Sequence, residues 1–294
     1  MKFCRTGLLD IAYLEGGPPD GPPVLLLHGW PDDPHGLAEV AAGLQHRGYR
    51  TIAPWLRGFG STRFLSDTTL RDGRSLVLAQ DALDLLDRLG IGRCSVIGHD
   101  WGGRAAYNLA AIAPGRLVSI TVLAIGYAPN CRFIMPGFEQ ARRWWYQWYM
   151  MSDGGAQRVR DDPVGFARLQ WDSWSPPHWY DEPSFRRAAE SFANPDWAAI
   201  TLHGYRSRWL PEPVDPRYDE VARRVSAVSR LRVPTLMIQG GEDRCDPPSE
   251  SERDARWFDG RHERVVLPRV GHFPGREAAP DVVDAFVAFH DKAG

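Results

Sequence analysis

Short aliphatic runs alternate with amphipathic stretches over the first 129 residues. Val24-Leu25-Leu26-Leu27 is stopped by His28-Gly29, and residues 49–53 form a second strand-like run stopped by Pro54. Leu76, Leu78, Ala79, Ala82, Leu85, Leu86 and Leu89 recur at helical spacing up to Gly90. Residues 94–97 then read as a buried strand, 103–113 as a helix and 117–124 as a strand. Strand and helix periods taken in turn predict a mostly parallel sheet with helices on both faces.

The pattern breaks near residue 130. Up to residue 216 the chain is rich in Trp, Tyr, Arg and Pro and has no aliphatic strand run, while 142–151 and 183–193 have helical character. Alternation resumes with a strand at 233–239, a helix at 249–258, a strand at 264–267 and a helix at 280–290. The pattern therefore predicts an α/β core, residues 1–129 and 217–294, interrupted by a helical cap over 130–216. Eight of the 12 tryptophans fall between Trp144 and Trp209, inside that insert.

Composition narrows the class. Hydrophobic residues are 43% and charged residues 24% of the 294, ordinary for a globular protein. A net charge of −2, with arginines interleaved among acids, gives no field for nucleic acid or an anionic membrane. Cys4, Cys94, Cys131 and Cys245 lie far apart without metal-ligand spacing, which suggests inert thiols and a cytoplasmic setting. The N-terminus lacks the signature of a signal peptide, and no apolar run is long enough to span a bilayer. A homo-oligomer stays open.

The sharpest chemical signal is Gly98-His99-Asp100-Trp101-Gly102-Gly103, where the strand at 94–97 meets the following helix. Gly-x-Asp-x-Gly is the nucleophile-elbow pattern with Asp in the serine position. Glycines allow strand and helix to approach through a tight, strained turn that pushes the central side chain out at the carboxyl end of the sheet. The phosphate-loop signatures are absent. An acid, Asp243, follows the strand at 233–239, and His272 follows the strand at 264–267. Nucleophile, acid, histidine is the chain order of an α/β hydrolase. Asp246 competes with Asp243, which sits closer to the strand's exit. Backbone N–H groups of Trp30, in His28-Gly29-Trp30-Pro31, and of Trp101 are candidates for an oxyanion hole.

On these residues, with Arg57-Gly58-Phe59-Gly60-Ser61 and Gly271-His272-Phe273, the chain resembles the α/β-hydrolase superfamily and, within it, the soluble epoxide hydrolase branch. The resemblance covers nearly the whole chain. It implies an α/β-hydrolase fold, an aspartate nucleophile and two cap tyrosines that hold and protonate an epoxide oxygen. Tyr146, in Trp145-Tyr146-Gln147-Trp148-Tyr149, and Tyr205, in His203-Gly204-Tyr205-Arg206, match those positions, with Tyr149 a lesser substitute for Tyr146. Haloalkane dehalogenases share much of the pattern, although the turn that often carries Asn in them carries Trp30 here. A catalytically inactive binding protein on the same fold is a third reading.

A carboxylate is ionised at neutral pH and can displace a leaving group from saturated carbon without a base. The expected sequence is alkylation of Asp100, then ester hydrolysis by water activated by the His272–Asp243 pair. No metal or organic cofactor is implied. Trp30, Trp101, Trp148 and Trp174 are expected to contact substrate, with Trp144, Trp171 and Trp179 as further candidates to line the pocket. An aromatic lining suggests a bulky, apolar epoxide.

Overall fold

The computed structural model describes residues 1–290. The elements run β1 (Lys2–Arg5), β2 (Leu9–Gly16), β3 (Pro23–Leu27), α1 (Ala38–His46), β4 (Arg50–Pro54), β5 (Arg63–Phe64), α2 (Ser75–Arg88), β6 (Cys94–His99), α3 (Trp101–Ile112) and β7 (Leu117–Leu123). Six helices follow: α4 (Phe138–Arg143), α5 (Trp145–Met151), α6 (Asp153–Asp161), α7 (Pro163–Trp174), α8 (Glu182–Glu190) and α9 (Trp197–Arg206). The chain then continues through α10 (Asp219–Ser226), β8 (Thr235–Gly240), β9 (His262–Leu267), α11 (Pro274–Glu277) and α12 (Ala279–His290).

The strands form one sheet in the order β1-β2-β4-β3-β6-β7-β8-β9, with β5 paired to β2. Pairings from β4 across to β9 are parallel, and those of β1 and β2 are antiparallel. All six residues of β6 are buried, as expected of a central strand covered on both faces. The period of two divides the core between the faces. Leu25, Leu27, Val96, Ile120 and Val122 pack with Leu85 and Leu109 of α2 and α3. Val24, Leu26, Ile97 and Leu123 pack on the other face with Val40, Leu44, Val282 and Phe286 of α1 and α12. This is the α/β-hydrolase arrangement that the alternation predicts. No helix among the described residues is long and apolar enough to cross a membrane.

Some elements differ from the sequence-based expectation. The helix expected over 249–258 is two 3-10 turns, Pro248–Ser251 and Asp254–Trp257. Buried side chains fix the two turns separately: Ser251 Oγ donates to Gln239, and Asp254 accepts from the Tyr127 amide. The helix expected over 142–151 is split between α4 and α5 at Trp144, whose ψ of 24° lies outside the helical range. The N-terminal hairpin of β1 and β2 adds an antiparallel edge that the aliphatic runs did not announce.

One buried ion pair fastens α2 to the sheet, close to where the helical segment ends. The Arg57 guanidinium, just beyond β4, donates to both oxygens of Asp81 on α2 at 2.6 Å. It also donates to the Asp72 carbonyl and to the hydroxyl of Tyr218, which lies where the segment returns to the core. Arg57 is fully buried, so all its donors need partners inside the protein. Replacing Arg57 with Leu should strand the Asp81 carboxylate and destabilise the protein by about 3–5 kcal/mol. Urea unfolding would measure this, and Arg57→Leu with Asp81→Leu should recover part of the loss. A cost under about 1 kcal/mol, the range of an exposed pair, would show that the pair is not structural.

Candidate active site

Asp100 sits between β6 and α3 with φ 46° and ψ −109°, a conformation that side chains other than Gly rarely adopt. Its neighbours show why the turn needs glycine. A Cβ on Gly98 would lie 2.3 Å from the Gly102 carbonyl oxygen, and one on Gly102 would lie 2.1 Å from that of Leu27. These contacts are with backbone, which cannot yield as a side-chain tip can. The strain at Asp100, of order 1–3 kcal/mol for such a residue, points its carboxylate away from the sheet.

The two carboxylate oxygens have different surroundings. Oδ1 accepts the Trp30 backbone N–H at 2.9 Å. Oδ2 lies 3.9 Å from Nε2 of His272. That nitrogen is buried without a hydrogen-bond partner in the protein, so it faces Asp100 across a small gap. Trp101 opens α3, where the first N–H groups have no acceptor within the helix.

His272 is held from both sides. Its Nδ1 donates to Asp243 Oδ2 at 2.8 Å, and the other oxygen of Asp243 accepts the amides of Cys245 and Asp246, each at 2.8 Å. The competing acid, Asp246, is not the histidine's partner. Burial and the Asp243 charge push its carboxyl up to about 6. His99 Nε2 donates to the His272 carbonyl at 2.7 Å. Burial, and then the charge of His272, lower His99 to about 4, so it stays neutral as a donor. Burial lowers the His272 imidazole, but Asp243 first, then Asp100 and Asp246, outweigh it and raise the ring to about 9.

Both expected tyrosines are brought to this centre. Tyr146 of α5 and Tyr205 of α9 are buried, their rings 5.3 Å apart and nearly perpendicular. Both touch Trp30, at 5.7 Å and 5.0 Å between ring centres. Burial drives both phenols well above their ordinary range, with Cys245 and Tyr205 adding to the effect at Tyr146 and Asp100 adding to it at Tyr205. They therefore keep their protons at neutral pH. Tyr149 is 39% exposed and turned elsewhere.

The tryptophans divide. Trp30 and Trp101 stack 6.4 Å apart, and Trp174 stands edge-on to His272 at 4.8 Å and 5.1 Å from Tyr146. Trp148 is not brought into this cluster. Its indole N–H donates to the Ala141 carbonyl and its ring packs on Trp209. Trp171 donates to the Pro31 carbonyl, while Trp179 donates to that of Trp171 and stacks on Phe273. Trp144 lies at the break between α4 and α5.

Sequence reasoning missed the clamp on the histidine loop. Glu277 accepts the amides of Gly271 and Phe273 and the Ser175 hydroxyl, and Ser175 Oγ accepts the His272 amide. Ser175 follows α7, so no local motif links it to residue 277. Cys245, Asp246 and His272 place ligand-type atoms within 4.8 Å of one another. Burial and the adjacent acids hold the Cys245 thiol well above its ordinary value, and Asp243 occupies His272 Nδ1. That chemistry suits a hydrogen-bond network better than a metal site.

Residues 22–278 match the family model described as the alpha/beta hydrolase fold. The chain is 35% identical to an epoxide hydrolase of Caballeronia sordidicola, over 92% of this chain and 87% of that one. It is 23% identical to epoxide hydrolase A of Mycobacterium tuberculosis, over 98% and 96% of the two chains. A solved structure from Klebsiella pneumoniae, provisionally assigned as an epoxide hydrolase, superposes with a TM-score of 0.93 at 35% identity, covering 99% of this chain and 97% of that one. The chain belongs to the α/β-hydrolase family, in its epoxide hydrolase branch, and is a hydrolase.

The electrostatics of the site can be checked directly. Removing the Asp100 charge withdraws one of the influences that raise His272. Asp100→Ala should therefore bring the His272 pKa down from about 9, and Asp243→Asn should lower it further, since Asp243 contributes more. Nitrogen NMR of the imidazole against pH would follow both. A His272 pKa unchanged by Asp100→Ala would show that the two groups are not coupled.

Proposed function

We propose that this hydrolase opens a small-molecule epoxide to a vicinal diol through an ester on Asp100. The observation that carries the reading is the pair of buried, protonated phenols, Tyr146 and Tyr205, gathered with Trp30 around a carboxylate at a nucleophile elbow. The relatives named as epoxide hydrolases support it.

Asp100 Oδ2 attacks one ring carbon, and the carbon–oxygen bond of the strained ring breaks. The departing alkoxide is a far stronger base than a phenolate, so it takes a proton from Tyr146 or Tyr205, while the second tyrosine holds it by a hydrogen bond. The nucleophile needs no base for this step. Esterification removes the Asp100 charge, and the His272 pKa falls accordingly. The neutral ring can then accept a proton from water between Nε2 and the ester. Hydroxide adds to the Asp100 carboxyl carbon, and the oxyanion that forms at Oδ1 lies against the Trp30 N–H, with the Trp101 N–H as the second donor. Asp243 keeps the ring oriented and stabilises the imidazolium. Collapse breaks the bond between the Asp100 carbonyl carbon and the ester oxygen; the leaving alkoxide takes the proton held by His272, the regenerated Asp100 acid returns a proton to the tyrosinate, and the diol departs, while residues 130–216 act as the cap that supplies the tyrosines and excludes bulk water.

The two steps call on different residues, and this makes the proposal testable. His272→Gln should still be alkylated and should fail to hydrolyse the ester. Intact-protein mass spectrometry after incubation with an epoxide should show one adduct of the substrate's full mass, mapped to Asp100. A haloalkane dehalogenase would instead trap, from a haloalkane, an adduct lacking the halogen. Full turnover by His272→Gln, or an adduct elsewhere, would overturn the assignment.

A further inference from the structure

The two phenols of the proposed site stand in opposite electrostatic surroundings. The half-buried Arg208 lies just past the end of α9, and its guanidinium carbon sits 4.4 Å from the centre of the Tyr205 ring. Its Nε donates to the Gly204 carbonyl at 3.1 Å, and among the described residues no carboxylate forms an ion pair with it. The Trp101 indole N–H is buried without a hydrogen-bond partner, and the Trp101 ring centre is 5.3 Å from that of Tyr205. Burial, and then the Asp100 charge, raise the Tyr205 pKa, whereas the Arg208 charge and the Trp101 N–H act to lower it.

Tyr146 has no such cation. Among the described residues none stacks on its ring. Cys245 Sγ lies 3.8 Å from its Oη, and the same sulfur lies 3.8 Å from Oδ2 of Asp246. Burial raises the Tyr146 pKa first, and Cys245, Tyr205, Asp246 and Asp100 all add to it. A neutral donor, Gln147 Nε2, reaches its oxygen at 3.3 Å. A neutral amide stabilises a phenolate less than a full charge does. Alkylation sharpens the difference. Asp100 is the charge that most opposes ionisation of Tyr205, and esterification removes it as the ring oxygen becomes an alkoxide. At Tyr146 the Asp246 carboxyl stays. A phenolate spreads negative charge into its ring, so a cation over the ring face attracts it more strongly than it attracts the phenol.

We propose that Tyr205 surrenders its Oη proton to the alkoxide and that Arg208, acting through Tyr205, is a positioning residue that holds the phenolate until the Asp100 acid returns the proton. Tyr146 keeps its proton and holds the same oxygen by a hydrogen bond. This rests on the epoxide reading above and assigns the roles within it.

The test follows alkylation alone, in the His272→Gln background, by the rate at which intact-protein mass spectrometry detects the adduct of styrene oxide. Tyr205→Phe should slow this step about tenfold more than Tyr146→Phe does. Arg208→Gln should slow it by about tenfold while Tyr205 is present, and by less than about twofold once Tyr205 is Phe. The loss should fall on the rate at saturating epoxide and leave the half-saturating concentration nearly unchanged, because Arg208 acts on ionisation and not on binding. Arg208→Lys keeps a cation and should retain part of the rate; if Arg208→Gln does not fold, Arg208→Lys with and without Tyr205 carries the same comparison. An equal loss in both backgrounds would mark a structural role and overturn the proposal. A larger loss from Tyr146→Phe than from Tyr205→Phe would overturn it as well. If no form of the protein gains an epoxide adduct, the epoxide reading falls and takes this proposal with it. Adduct formation indifferent to Arg208 overturns this proposal alone.

Discussion

The Asp100 carboxylate sets the terms for everything around it. It is only 6% exposed, on a backbone turn that costs energy to hold, and it carries charge into an aromatic interior. Such a group persists only where partners are built for it. The Trp30 amide meets one oxygen and the raised imidazole of His272 faces the other, so a strained turn and a buried histidine stabilise each other's surroundings. Asp243, the amides of Cys245 and Asp246, and the Ser175–Glu277 clamp then keep that histidine from turning away. A carboxylate held this way has one oxygen committed and one available, which is the condition for attack on carbon and for later attack by water on its own carbonyl.

The core was legible because its physics is local. A strand buried on both faces carries no charged residue, and the uncharged run Cys94 to Ile97 leading into the Gly98 turn could be read directly. The elbow was legible because backbone approaches within van der Waals contact allow only glycine at Gly98 and Gly102. The sequence favoured Asp243 over Asp246 by its place at the exit of the strand, and the structure adds the physical reason: the turn after β8 folds two amides onto Asp243 and leaves its other oxygen for His272. β2 escaped notice because its alternating Leu9, Ile11 and Tyr13 are interrupted by the buried Ala12, in a strand read by neither aliphatic run nor helical period.

The helical segment was harder to read for a different reason. Its aromatic residues serve two purposes that share one composition. Trp174 faces His272, whereas Trp148 fastens α5 to Ala141 and Trp209, and nothing within the sequence Trp145-Tyr146-Gln147-Trp148 says which indole turns inward. Tyr146 and Tyr205 come together from helices almost sixty residues apart, a meeting that no local pattern encodes. The same holds for Arg57, whose bonds to Asp81 and Tyr218 join parts of the chain far apart in sequence. Arginines so numerous in the sequence look like ordinary surface charge until their partners are traced.

The central claim is that the oxygen delivered to substrate comes from Asp100 and not directly from water. A single turnover in heavy-oxygen water, with enzyme in excess over epoxide, separates the two routes. Ester hydrolysis at the carboxyl carbon places the heavy oxygen in Asp100 and releases a first diol without it. Peptide mass spectrometry should therefore find the label in the peptide containing Asp100. Heavy oxygen in the first diol, with Asp100 unlabelled, would mean that water opens the ring itself, and would contradict the account.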